Sequence, residues 1–241
     1  MTTEAFQTQA ATMHRFFTPL LRVLYGLLAI VLIGHHSMPR LLASRWNCER
    51  LYRVLETGEP AARKHAAIAL AHVGGEEQLL RALQAPNQDL RQLAAGALFE
   101  LWLGSAGAAA RADLFDAFQS IQKKHHHHAL AILTQVIQMH PQFAEAWSRR
   151  AALRINLGQF DLALEDAQRA AILNPANFAA WQEMAICYMK FGRYDAAIRS
   201  WRTSLRLMPF DPNARQMLRH CLELRREPAR PLPPSRWRQI V

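Results

Sequence analysis

Three prolines, Pro141, Pro175 and Pro209, recur every 34 residues, and the residues between them recur as well. The first interval carries Trp147, Ala151, Gly158, Phe160, Ala163, Ala167 and Ala170. The second carries Trp181, Ala185, Tyr188, Gly192, Tyr194, Ala197 and Trp201. A period of this length is one supersecondary unit repeated, and such a unit cannot bury its apolar face without a neighbour. Each unit reads as two helices. Gly158 and Gly192 close the first helix, and each proline marks the start of the next pair. Ala151, Ala163, Ala185 and Ala197 are small where the two helices cross, while Trp147, Trp181, Phe160 and Tyr194 fill the gaps between pairs. The chain is thereby held to stacked helical hairpins with little or no sheet.

These residues are similar to those of the tetratricopeptide repeat, in its order of aromatic, alanine, glycine and proline positions. The resemblance covers 110–226: a degenerate unit over 110–143, full units over 144–177 and 178–211, and a cap helix over 212–226. In the degenerate unit Ala117, Ala129, Val136 and Pro141 keep the register, but Lys123-Lys124-His125-His126 replaces the usual glycine-containing turn. An earlier block, 39–107, has a shorter repeat. Arg63 and Arg91 lie 28 residues apart, and KHAAIAL (64–70) aligns with QLAAGAL (92–98) without a gap. A turn with proline and Asp or Asn, then arginine, then alanine pairs resembles the short HEAT-like repeats. Together the two resemblances imply an all-α fold, an α-α superhelix (α-solenoid) of HEAT-like hairpins followed by tetratricopeptide hairpins.

Residues 1–15 read as a tail and 16–36 as a hydrophobic helix. From Val23 to Gly34 there is no charge, and the stretch reaches spanning length only if Arg22 snorkels to the interface. A membrane anchor, a buried cap helix and a cleaved signal are the three readings. Arg15 alone precedes the run closely, whereas Arg40, Arg45, Arg50 and Arg53 follow it. That bias places the repeats on the cytoplasmic side. A soluble cytoplasmic chain is the alternative.

The chain has 29 basic against 19 acidic residues, which favours acidic partners, but the arginines are scattered and no stacking-aromatic module accompanies them. Nucleic-acid binding is therefore the lesser expectation. Three separated cysteines exclude a disulfide scaffold. No phosphate loop, dinucleotide fingerprint, nucleophile elbow or zinc-protease motif occurs, so no enzymatic activity and no cofactor are expected. None of the 11 histidines is followed by glutamate, which counts against HEAT-like di-iron hydroxylases. His125 to His128 could offer ligands at i,i+3, but without framing acids or cysteines they read as a solvated turn.

Some tetratricopeptide domains clamp a C-terminal carboxylate with Lys and Asn on inner helices. The corresponding places here hold Leu114, Phe118, Ser148 and Ala152, so that clamp is not expected. The face that the resemblance makes concave carries Arg149, Ala152, Asn156, Gln182, Glu183, Ile186, Lys190, Gln216 and His220. All but Ala152 are candidate partner-binding residues, suited to an extended peptide or a partner helix. The expected function is a non-enzymatic protein-interaction scaffold, membrane-tethered through 16–36. An accessory or assembly factor with lyase-like activity in the HEAT-like groove, or a basic nucleic-acid scaffold, is the alternative. Residues 227–241 form a Pro/Arg-rich tail, extended in expectation, with a PxxPxR pattern at Pro231, Pro234 and Arg236.

Overall fold

The computed structural model describes residues 45–226. The hydrophobic run at 16–36, the start of the helix expected from Pro39 and the tail at 227–241 lie outside the described residues. The described residues form eleven helices and no strand: α1 (Arg45–Thr57), α2 (Pro60–Val73), α3 (Glu76–Leu83), α4 (Gln88–Gly104), α5 (Gly107–Gln122), α6 (His126–Met139), α7 (Ala144–Asn156), α8 (Phe160–Leu173), α9 (Phe178–Lys190), α10 (Tyr194–Leu207) and α11 (Pro212–Arg226). Two compact units divide at Arg50, within α1. In the described part of the first, the Arg50 guanidinium lies 4.5 Å from the Trp46 ring centroid and Cys48 is buried. Everything below concerns the second.

From α5 onward the 34-residue period is visible in the backbone. Gly158 and Gly192 end α7 and α9 at φ +75° and +68°, the left-handed region where a Cβ is costly. In the first unit the same position is Lys124, at φ 61°. The degenerate turn therefore keeps the repeat's geometry and accepts strain that glycine would avoid. The residue after each of these donates its N–H five residues back: His125 to Ser120, Gln159 to Arg154, Arg193 to Tyr188. His126 to His128 lie in the first turn of α6 rather than in the turn, which ends at His125. A helical first turn needs no acceptors on its side chains, so three polar histidines at its solvent edge fit without a partner.

Packing repeats too. Ala117, Ala151 and Ala185 are buried in the first helices, and Ala129, Ala163 and Ala197 in the second. At these six positions a methyl group is all that the crossing accommodates, which lets the helix axes approach closely. Larger side chains fill between hairpins: Leu114, Leu133, Val136 and Phe143 form the first core, and Ile198 and Trp201 lie in the last, sealed by Ala214 and Cys221 of α11. The Trp147 and Trp181 indoles donate to the carbonyls of Pro141 and Pro175 at 3.0 and 2.9 Å, tying each hairpin to the turn before it. The result is an α-solenoid.

The earlier block is built from α2, α3 and α4. Gly74 ends α2 in the left-handed conformation at φ 81° and α3 starts at Glu76. Ala66 and Leu70 of α2, and Ala94 and Leu98 of α4, are buried at matching offsets from Arg63 and Arg91. Asn87 caps α4 by accepting from the N–H groups of Asp89 and Leu90. The Arg91 guanidinium donates to the carbonyls of Ala85 and Pro86. Among the described residues no single helix is long and apolar enough to cross a membrane; α4 and α5 pass that test only together, across a 117° bend.

Candidate functional site

The first helices of successive pairs, α5, α7, α9 and α11, form one layer, and polar side chains stitch it from repeat to repeat. Ser148 of α7 donates to both carboxyl oxygens of Glu183 on α9, at 3.0 and 3.1 Å. Glu145 accepts two hydrogen bonds from Arg149 one turn on, at 2.8 and 2.5 Å. Asn177 donates to its other oxygen at 3.3 Å while capping α9 through the Ala180 N–H. One repeat later Gln182 donates to Ser204 and, at 2.8 Å, to Asp211, which caps α11.

Glu183 is 7% exposed. Burial pushes its carboxyl up to about 8. The Ser148 hydroxyl and Arg149 oppose the rise, while Glu145 and Asp166 add to it. Near neutrality this side chain is mostly protonated, so it links two repeats as a neutral hydrogen-bonding group. A second buried cluster fixes the α7–α8 hairpin. Arg150 makes a two-pronged contact with Asp166, both distances 2.8 Å, and Arg154 reaches the same carboxylate at 2.7 Å. Thr134 of α6 accepts from Arg150 at 3.0 Å, extending the cluster to the preceding hairpin.

The eight candidate residues consequently fall into two groups. Arg149, Gln182 and Glu183, in the first half of their helices, are committed to intramolecular bonds. Asn156 and Lys190 lie seven residues beyond Arg149 and Glu183. Two helical turns return them to the same face, and both are exposed. Ile186 beside them is half-buried, and Gln216 and His220 are exposed on α11. The Lys190 ammonium lies 5.6 Å from the Phe160 ring centroid, and His220 is 3.9 Å from Glu223.

The layer also carries a helix that the repeat pattern did not place there. Phe99 of α4 stacks on Phe118 of α5, centroids 6.2 Å apart, with the Arg149 guanidinium 4.8 Å from the Phe99 centroid. Trp102 meets Phe178 at the start of α9 at 5.9 Å, and the Arg91 guanidinium lies 4.6 Å from Phe210, just before α11. Continuing the stack end to end would have kept α4 off this face. Its aromatic residues instead find partners across three repeats. No group of three or more His, Cys, Asp or Glu suited to a metal ion occurs among the described residues, and no side chains converge on a cofactor site.

Residues 157–221 match the tetratricopeptide repeat family. The chain is also similar to a TPR repeat-containing protein of Rhizobium etli, 26% identical over 117 residues, which are 48% of this chain and 57% of the relative. It thus spans little more than half the length of that curated relative. Among solved structures, the first TPR of Spaghetti (RPAP3) bound to the HSP90 peptide SRMEEVD is similar at a TM-score of 0.47 and 18% identity, over 47% of this chain and 90% of that one. The Arabidopsis OM64 TPR domain follows at 0.46 and 21%, over 48% and 95%. The Yersinia enterocolitica secretion chaperone SycD, in complex with a peptide of the translocator YopD, gives 0.46 and 17%, over 52% and 100%.

Proposed function

We propose that the chain is a non-enzymatic protein-interaction scaffold that captures a peptide or partner helix on the layer formed by α5, α7, α9 and α11. One observation carries this reading. Asn156, Ile186, Lys190 and His220 line the second halves of successive tetratricopeptide first helices and stay accessible, while their neighbours two turns earlier are used up in holding the repeats together. Side chains that fold does not consume, set in a row on a rigid face, are what an extended partner can read. The match over 157–221 supports the same reading, because it covers most of that row. Residues 57–103 are, in this proposal, HEAT-like hairpins that precede the tetratricopeptide units.

The test uses a partner segment recovered by photo-cross-linking from Lys190. Replacing Asn156 with alanine, Lys190 with glutamate and His220 with alanine together is expected to weaken that segment's binding by at least about tenfold, with unchanged helical circular dichroism. Unchanged affinity would overturn the reading. The membrane tether at 16–36 belongs to the proposal on the composition of that run alone. Carbonate extraction should leave the full-length chain in the membrane pellet, and full release into the supernatant would remove the tether.

A further inference from the structure

On α4, Arg91, Phe99 and Trp102 fall within an arc of about 80° at 100° per residue, so one face of the helix meets the repeat layer. The layer answers with three aromatic rings, Phe118, Phe178 and Phe210, and with the guanidinium of Arg149. Two features set this seat apart from permanent core. Its contacts are stacked rings and cation–ring pairs whose members stay partly accessible: Phe210 is 39% exposed, and Phe99 and Phe118 are half-buried. And α4 joins the layer through Gly104–Gly107, where the chain turns by 117° and Gly107 adopts φ +90°. The other side of α4 is held by its own block, with Leu90, Ala94 and Leu98 buried, so it can leave the layer without losing its helical partners.

We propose that α4 is the resident occupant of the partner groove, and that the partner is an amphipathic helix of like chemistry, with aromatic side chains and an arginine on one face, which takes the place of α4. This deepens the reading given under Proposed function and rests on it. The ring-to-ring and ring-to-cation contacts specify the class: aromatic residues for Phe118, Phe178 and Arg149, and a guanidinium for Phe210.

The probe is a fluorescent peptide of residues 87–104, titrated into the full chain. In the native chain the tethered helix competes at an effective concentration on the order of millimolar, so the peptide binds weakly. In a chain with Arg91→Ala and Phe99→Ala the tethered competitor is weakened, and the peptide should bind at least tenfold tighter. Adding Arg149→Ala to that chain should remove most of the gain. Equal affinity for the native and doubly substituted chains overturns the proposal. A second variant does not depend on how well that chain folds. Arg91→Cys with Phe210→Cys, closed by a short bis-maleimide, pins α4 in place, while Cys187 and Cys221 are buried and spared. The bridged chain should lose the peptide binding that its open form shows, and equal binding overturns the proposal. The two claims fail separately. If the peptide competes as expected but the cross-linked partner maps to the outer helices α6, α8 or α10, the proposed function fails and the resident occupant stands. If the partner maps to Lys190 yet binds bridged and open chains alike, the displacement is overturned and the proposed function stands.

Discussion

Replacing Asp166 with alanine is expected to cost about 3–5 kcal/mol of folding stability, because it strands two arginine side chains in a buried site. Asp166 is 1% exposed and satisfies Arg150 through two hydrogen bonds and Arg154 through one. Without it both guanidinium groups stay desolvated with no counter-charge, and neither can shed its proton. Urea unfolding of the full chain followed by circular dichroism measures the loss. A thermal midpoint roughly 6–20 °C lower should accompany it. Replacing the whole set, Arg150→Met and Arg154→Met with Asp166→Leu, should cost much less, since no charge is then left unpaired. A loss below about 1 kcal/mol for Asp166→Ala would mean that the cluster is open to water and does not lock the α7–α8 hairpin.

The second large effect is a pH dependence set by Glu183. The folded chain holds the Glu183 proton up to about pH 8, whereas the unfolded chain releases it from its ordinary value of 4.5. Between those values the native state binds more protons than the unfolded one, so stability falls as pH rises, and the loss is complete above about pH 8. Each tenfold difference in proton affinity is worth about 1.4 kcal/mol. Glu183→Gln keeps the shape and the hydrogen bond to Ser148 but does not titrate. Its stability relative to the native chain should therefore grow from about pH 5 to about pH 8.5 by at least about 1.4 kcal/mol. Parallel stability–pH curves for the two chains would contradict the buried, neutral assignment.

The repeat register, the helical hairpins and the glycine turns could all be read from residues such as Pro141, Pro175, Gly158 and Gly192, because each encodes a local backbone event at a fixed spacing. Lys124 shows how that reading works at its limit. Its residue type hides the turn, and only the 34-residue register reveals that it stands where glycine would. What eluded the sequence is long-range. Glu183 and Arg149 read as groove-facing polar residues. Their real neighbours, Ser148 and Glu145, lie on the same layer and bury them, and nothing in a local pattern separates a solvated glutamate from one sealed between two repeats. Phe99 and Trp102 were legible as apolar positions of a helix, but their meeting with Phe118 and Phe178 depends on the bend at Gly104–Gly107, whose direction no periodicity encodes. The division of the candidate site into committed and accessible halves follows from those contacts and was equally out of reach.

The most direct measurement of the central claim is site-specific photo-cross-linking in cells expressing the full chain. A photoreactive residue is placed at Lys190 or His220 on the inner layer, or at Gln135 or Arg202 on the outer helices α6 and α10; all four positions are exposed. A scaffold that reads its partner on the α5, α7, α9 and α11 layer predicts one adduct mass shared by Lys190 and His220 and absent from Gln135 and Arg202. The same adduct at the outer positions in equal or greater yield would contradict the account.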